Sequence, residues 1–269
     1  MIEWLKVVIL GIVQGITEYL PISSTGHLIV AAALLDFGQR MQGTFEIFIQ
    51  VGSVVAVLVF YRAELLQQIR SIPHDAGIRR FWLGIVVAVI PAAALGFLLK
   101  DWIKEVLYAP AVVAVSLIVG GIIFLIVERR PIPIQTTDVT AVSLRQALTV
   151  GVAQMVALIP GVSRSGASII GGRLAGLDRR TATQFSFYLA IPILGAATIF
   201  DLLTSLDTLS PDDVGYLLVG AAVSAVVSWA AMGWLLRYVS RNNFNLFGVY
   251  RIVAGIIILA LIAAGMPLN

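Results

Sequence analysis

Apolar runs of membrane-spanning length recur from one end of this chain to the other, and that pattern excludes most folds. A bilayer core has no water for unpaired backbone groups, so each crossing must satisfy its own hydrogen bonds. A run near or above about 18 apolar residues does so as a helix. Full spans are expected at about 45–62, 81–99, 108–127, 184–204, 214–236 and 246–266. Charged residues make up 12% of the 269, about half the share in a soluble protein. No polar connection is long enough for a separate soluble domain. The expected fold class is therefore an all-α integral membrane protein, with one membrane domain over 1–269. Glu3 inside the first apolar run, with no A-x-A-like site after it, argues against a cleaved signal. The chain has no Cys, which excludes disulfides and thiolate metal sites.

Two regions break the pattern. The first apolar segment, about 4–20, stops at Pro21, and Ser23-Ser24-Thr25-Gly26 separates it from a short apolar piece at 28–37. A second segment, about 146–159, stops at Pro160-Gly161, and Ser163-Arg164-Ser165-Gly166 leads into 167–176. Non-helical backbone at membrane depth is tolerated where it lines a protein cavity, so each region reads as a re-entrant helical pair. Each pair precedes three spans, with the polar section Glu128–Arg145 as midpoint. A constant offset of 140 puts Gly11 on Gly151, Gln14 on Gln154, Ser23 on Ser163, Gly26 on Gly166 and Phe45 on Phe185. Two repeats are expected, about 1–130 and 141–269.

Lys and Arg placement orients them. Arg62, Arg70, Arg79, Arg80, Arg129, Arg130, Arg145, Arg173, Arg179, Arg180, Arg237 and Arg241 fall on one side, the cytoplasmic one. The other side receives Lys6, Arg40, Lys100 and Lys104, with Asp201, Asp207, Asp212 and Asp213. Three spans separate the broken pairs, so the pairs enter from opposite faces. The repeats are then inverted in topology, the first pair opening outward, and their two turns should meet at the repeat interface.

The first turn concentrates chemistry. Gln14 and Glu18, four residues apart, share a helix face. Pro21 ends that helix. Ser23, Ser24 and Thr25 sit where a new helix offers free N–H groups and its positive dipole end to an anion. Gly26 permits close backbone approach, and His27 can act as general base or acid. A hydroxyl, an imidazole and a carboxylate so close together fit activation of a serine. The second turn adds Arg164, whose planar fork matches phosphate oxygens, flanked by Ser163 and Ser165. Arg164 is one of two arginines belonging to neither side, and an anionic partner would offset its depth. The plainer readings are a helix cap for the hydroxyls, a structural pairing of Glu18 with Arg164, and a satisfied core position for His27. His74 is expected in solvent, Glu46 and Gln50 as supporting or water-facing groups, and Phe185, Phe187 and Tyr188 in packing.

With these residues the sequence resembles the undecaprenyl-diphosphate phosphatase family, the bacitracin-resistance proteins, over nearly its whole length. The family's (Glu/Gln)-x-x-x-Glu segment corresponds to Gln14–Glu18, its Pro-x-Ser-Ser-Thr-Gly-His to 21–27 and its Pro-Gly-x-Ser-Arg-Ser-Gly to 160–166. The resemblance implies a multi-pass enzyme of the bacterial inner membrane that hydrolyses undecaprenyl diphosphate to the monophosphate and inorganic phosphate. That reaction recycles the lipid carrier for cell-wall polymers. It implies dependence on a divalent cation, Mg or Ca, and an active site open to the outer, periplasmic side. By position, Ser24 is the expected nucleophile, His27 its acid or base partner, Glu18 the essential acid and Arg164 the phosphate clamp. Gln14, Ser23, Thr25, Gly26, Ser163, Ser165 and Gly166 are expected to bind substrate. Glu18 and Gln14 are the candidate metal ligands, Gln14 being a weaker one than a carboxylate. Expected partners are the polyprenyl diphosphate and the bilayer, with no nucleic acid; a homodimer is left open.

A transporter or flippase is the competing reading, because inverted repeats with broken helices also serve alternating access. Sequence asymmetry favours catalysis: Leu158 stands opposite Glu18, and Ala167 opposite His27.

Overall fold

Helix breaks fall where proline and hydroxyl residues interrupt the apolar pattern. In the computed structural model, residues 2–37, 39–205, 214–266 and 268 are described. The side chains of Arg40, Glu46, Lys100, Lys104 and Asp201, and all of Asp207, Asp212 and Asp213, lie outside that description. The helices are α1 (Ile2–Thr17), α2 (Ser24–Leu34), α3 (Gln39–Phe60), α4 (Arg62–Ser71), α5 (Ala76–Trp102) and α6 (Pro110–Arg129). They continue as α7 (Leu144–Gln154), α8 (Arg164–Leu174), α9 (Arg179–Ser205), α10 (Val214–Val239) and α11 (Asn245–Ala263). Among the described residues there is no strand, only an isolated bridge between Thr136 and Leu177.

Among the described residues, five helices, α5, α6, α9, α10 and α11, are long and apolar enough to cross a membrane. The apolar end of α3 with α4 makes a sixth candidate, bent by 66°. The protein is thus an all-helical, multi-pass membrane protein. The expected 62–80 connection is itself largely helical, since α4 fills half of it. Pro91 and Pro192 lie inside α5 and α9 without ending them.

Both short pairs fold back on themselves. Lys6 Nζ, early in α1, donates to the carbonyl of Asp36, just past α2, at 3.0 Å. Gln146 Nε2, early in α7, donates to the carbonyl of Ala175, just past α8, at 3.1 Å. Each pair is therefore a hairpin whose tip is the polar turn. Small residues let the helices meet backbone to backbone, the mode expected where no water drives packing. A Cβ on Gly52 of α3 would lie 2.1 Å from Ala221 O of α10, and one on Gly121 of α6 would lie 2.5 Å from Gly248 O of α11. Ser53 Oγ shares hydrogen bonds with Ser224 and Ser228 across the α3–α10 seam. At the end of α6, buried Glu128 accepts two hydrogen bonds from Arg179, at 2.9 and 2.6 Å, and lies 3.8 Å from Arg173 Nε. This ion cluster fastens the polar midpoint to the end of α8.

Candidate active site

The two hairpin tips meet. Ser165 Oγ of the second turn donates to the carbonyl of Leu20 in the first, at 3.0 Å. Arg164 Nη2 donates to Glu18 Oε1 at 3.1 Å, joining residues 146 positions apart. Nη1 of Arg164 donates to Ser186 O of α9 at 2.9 Å, and its guanidinium lies over the Tyr19 ring. Glu18 Oε2 accepts from Gln14 Nε2 at 3.1 Å and from Ser24 Oγ at 2.9 Å. A single carboxylate thus gathers the arginine, the serine hydroxyl and the neighbouring amide.

A cavity of about 170 Å³ opens on this group, lined by Glu18, Ser23, Ser24, Thr25, Ser163 and Arg164 among others. Gln50 also lines it, while Leu158 and Leu194 form apolar walls. The turns that reach it have the same rare backbone, with φ 73° at Ser23 and 76° at Ser163. Positive φ is costly for a residue with a Cβ and persists where surrounding contacts impose it. At Ser163 the hydroxyl accepts from Gly166 N at 3.1 Å, capping α8. Ser23 makes no such cap, so its hydroxyl leaves the first N–H groups of α2 uncapped.

Several expected positions lie elsewhere. His27 makes no hydrogen bond to Ser24. Its Nδ1–H donates to Ser23 O at 2.7 Å, which leaves Nε2 to accept from the Tyr250 hydroxyl at 2.6 Å. The imidazole instead holds the carbonyl of the strained Ser23. Gly26 packs on α6, where its Cβ would meet Leu117 and Val113 at 3.1 and 3.2 Å. Ser165 is buried between the tips, and Gly166 packs beside Arg251. None of these four lines the cavity. Gln14 is fully buried behind Glu18. His74 is exposed, and Phe185, Phe187 and Tyr188 are core residues, as expected.

Two residues escaped the sequence reading. Tyr250 stacks on His27 with ring centroids 5.5 Å apart. Arg251, fully buried, donates to backbone carbonyls of both turns. A signal for Arg251 existed: it is the other arginine that belongs to neither side. Tyr250 carried none, being one tyrosine at the end of an apolar run.

Among the described residues, the charged side chains that join the two turns are Arg164, Arg251 and Glu18. Among the described residues, Arg164 Nε and Gln14 Oε1 are buried without a hydrogen-bond partner. A buried orphan donor and a buried orphan acceptor are unfavourable unless a ligand completes them. Among those residues no group of three or more His, Asp or Glu could hold a metal. Among the described residues, Glu18 is the one carboxylate on the cavity wall. Magnesium commonly binds one or two carboxylates plus substrate phosphates and water. Glu18 with the unpaired Gln14 Oε1 fits that sparse protein share, and among the described residues no second carboxylate lines the cavity.

The family model for Bacitracin resistance protein BacA matches residues 7–257. An undecaprenyl-diphosphatase of Deinococcus radiodurans is 50% identical over 270 aligned positions, covering 99% of this chain and 98% of its own length. One from Deinococcus deserti is 44% identical with the same coverage. Undecaprenyl-diphosphatase 1 of Chromobacterium violaceum is 47% identical over 93% of both chains. This chain belongs to the bacitracin resistance protein family.

Proposed function

We propose that this protein is an undecaprenyl-diphosphatase, releasing inorganic phosphate and returning undecaprenyl phosphate to cell-wall synthesis. The observation that carries the reading is the meeting of Ser24, Glu18 and Arg164 at one cavity, contributed by two distant turns. The hydrolysis would raise bacitracin resistance by removing undecaprenyl diphosphate.

Arg164 binds the terminal phosphate, and its unpaired Nε takes one of the phosphate oxygens. The N–H groups at the start of α2 add a preorganised positive end. Ser24 Oγ, already donating to Glu18 Oε2, loses its proton there and attacks the terminal phosphorus. The bond from that phosphorus to the bridging oxygen breaks, and undecaprenyl phosphate leaves. Water then attacks the phosphoserine, phosphate departs, and Glu18 returns the proton to Ser24. The Ser24–Glu18 contact favours this covalent route over direct attack by water. His27 acts on the turn by holding Ser23 O. Glu18 and Gln14 Oε1 would hold a divalent cation, Mg or Ca, which when bound would neutralise phosphate charge.

We read the chain as two inverted repeats, a reading that would place a shared site between the halves. Gly11 would meet α10 at Gly220 O as Gly151 would meet α5 at Ala88 O. Gln14 and Gln154 are both buried with an unpaired Oε1, and Phe45 and Phe185 are both buried. The end of α2 packs near the start of α6, and the end of α8 is held at its other end by Glu128. Hairpins opening at opposite ends of α6 agree with the charge-based orientation, which puts the first pair and the cavity on the periplasmic side.

The test is phosphate release from undecaprenyl diphosphate by purified protein in detergent. Ser24→Ala and Arg164→Ala should each abolish it while still inserting in the membrane. Full activity of Ser24→Ala would remove Ser24 as nucleophile.

A further inference from the structure

We infer that Arg251 is a positioning residue for the reaction, setting the register between the turn that carries Ser24 and the turn that carries Arg164. The inference rests on the phosphatase reading for its kinetic arm only. Arg251 is 0% exposed, and no carboxylate among the described residues lies within ion-pair distance of it. Its fork instead donates to backbone. Nη1 donates to Pro21 O at 3.2 Å, in the first turn. Nη2 donates to Gly161 O at 3.2 Å and Val162 O at 2.9 Å, in the second. Nε and Nη2 also reach Leu117 O and Ser116 O of α6, each at 3.4 Å.

The carbonyls of Pro21, Gly161 and Val162 lie in the breaks between helices, where no helical hydrogen bond takes them. The anchored positions are close in sequence to the reacting groups: Pro21 is three residues before Ser24, and Val162 two before Arg164. One rigid plane therefore fixes both turns against α6. A Lys ammonium is a single point on a flexible stem and cannot hold the same directions together. A pure volume role is poorly served by a buried charge, because an apolar side chain would fill the space without desolvating an ion.

The surroundings are shaped for the fork. A Cβ on Gly120 would lie 2.2 Å from Nη2 and 2.8 Å from Cζ, and one on Gly166 would lie 3.1 Å from Nη1. The Phe124 ring lies below the guanidinium, 5.9 Å from centroid to Cζ. Gly120→Ala therefore displaces the fork with Arg251 and every cavity residue left unsubstituted, and Ala favours the helix more than Gly does.

The experiment uses full-length Arg251→Lys and Gly120→Ala with two readouts. The first is kcat and KM for undecaprenyl diphosphate, corrected for folded fraction. A shift of about 1 Å between reacting groups can cost about 10²-fold, so kcat should fall 10- to 100-fold, with KM within about threefold of wild type. The second is a spin-label distance between Ile16→Cys and Ile159→Cys, both exposed positions flanking the turns in a chain with no native Cys. Wild type should give one narrow distribution, and both variants a broadened or shifted one. Unchanged distances, or a kcat loss that vanishes on correcting for folded fraction, would overturn the positioning role. If wild type itself releases no phosphate, the phosphatase reading fails, and the distance measurement still decides the register claim.

Discussion

Replacing the two ends of the Glu18–Arg164 pair by neutral amides separates phosphate binding from scaffolding. The pair is 3.1 Å apart, with side chains 6% and 12% exposed, respectively. Arg164→Gln leaves a buried carboxylate whose remaining donors are Gln14 Nε2 and Ser24 Oγ. Removing one member of a buried pair costs about 3–5 kcal/mol, and the two surviving hydrogen bonds put this case near the lower end. Glu18→Gln leaves a guanidinium that still donates to Ser186 O, and costs about 1–3 kcal/mol for the lost charged partner. With both changed, no uncompensated charge remains. A favourable coupling of about 1–3 kcal/mol should then make the double variant more stable than Arg164→Gln alone. Activity should behave differently. Losing the clamp lowers kcat about 10²- to 10³-fold, losing the base about 10²- to 10⁴-fold, and the double variant should recover neither. Thermal unfolding in detergent gives the first quantity, and phosphate release at saturating lipid diphosphate, normalised to folded protein, the second. A double variant within threefold of wild-type activity, with both single variants inactive, would refute the argument: the pair would then be scaffold alone.

Tyr250→Phe removes the hydroxyl that His27 Nε2 accepts from but keeps the stacked ring; one hydrogen bond of about 1 kcal/mol predicts a kcat roughly fivefold lower, read in the same assay. Gln14→Glu adds a second carboxylate beside Glu18, so the cation concentration for half-maximal activity should fall about tenfold, since affinity rises with ligand charge. An unchanged cation titration would remove position 14 from the metal site. Gly52→Ala drives a Cβ into Ala221 O and should lower stability by about 1–3 kcal/mol. Gly195→Ala meets nothing within 4 Å and should be neutral or slightly stabilising in thermal unfolding.

The spans were legible because hydropathy is a property of each segment alone. The hairpin tips were legible because Pro21, Pro160 and the hydroxyl runs act locally on the backbone, and the constant offset related one tip to the other. That Ser24 donates to Glu18 rather than to His27 was not legible. Spacing puts all three together, but it does not say that the imidazole turns to Ser23 O, four residues back. Arg251 and Tyr250 reach the first turn from α11, 230 and 223 positions away, and no local pattern announces such contacts. The helical character of α4 was hidden by its charge: Arg62, Glu64 and Arg70 mark a connection, and they also suit the exposed face of a short amphipathic helix.

The central claim is that one site, assembled from both hairpin tips, hydrolyses the lipid diphosphate. Its most direct test is to follow phosphate release and lipid movement together, in vesicles holding purified protein and undecaprenyl diphosphate. The account predicts phosphate release that stops in Ser24→Ala and with chelator. Lipid movement across the bilayer with no release of phosphate would contradict it.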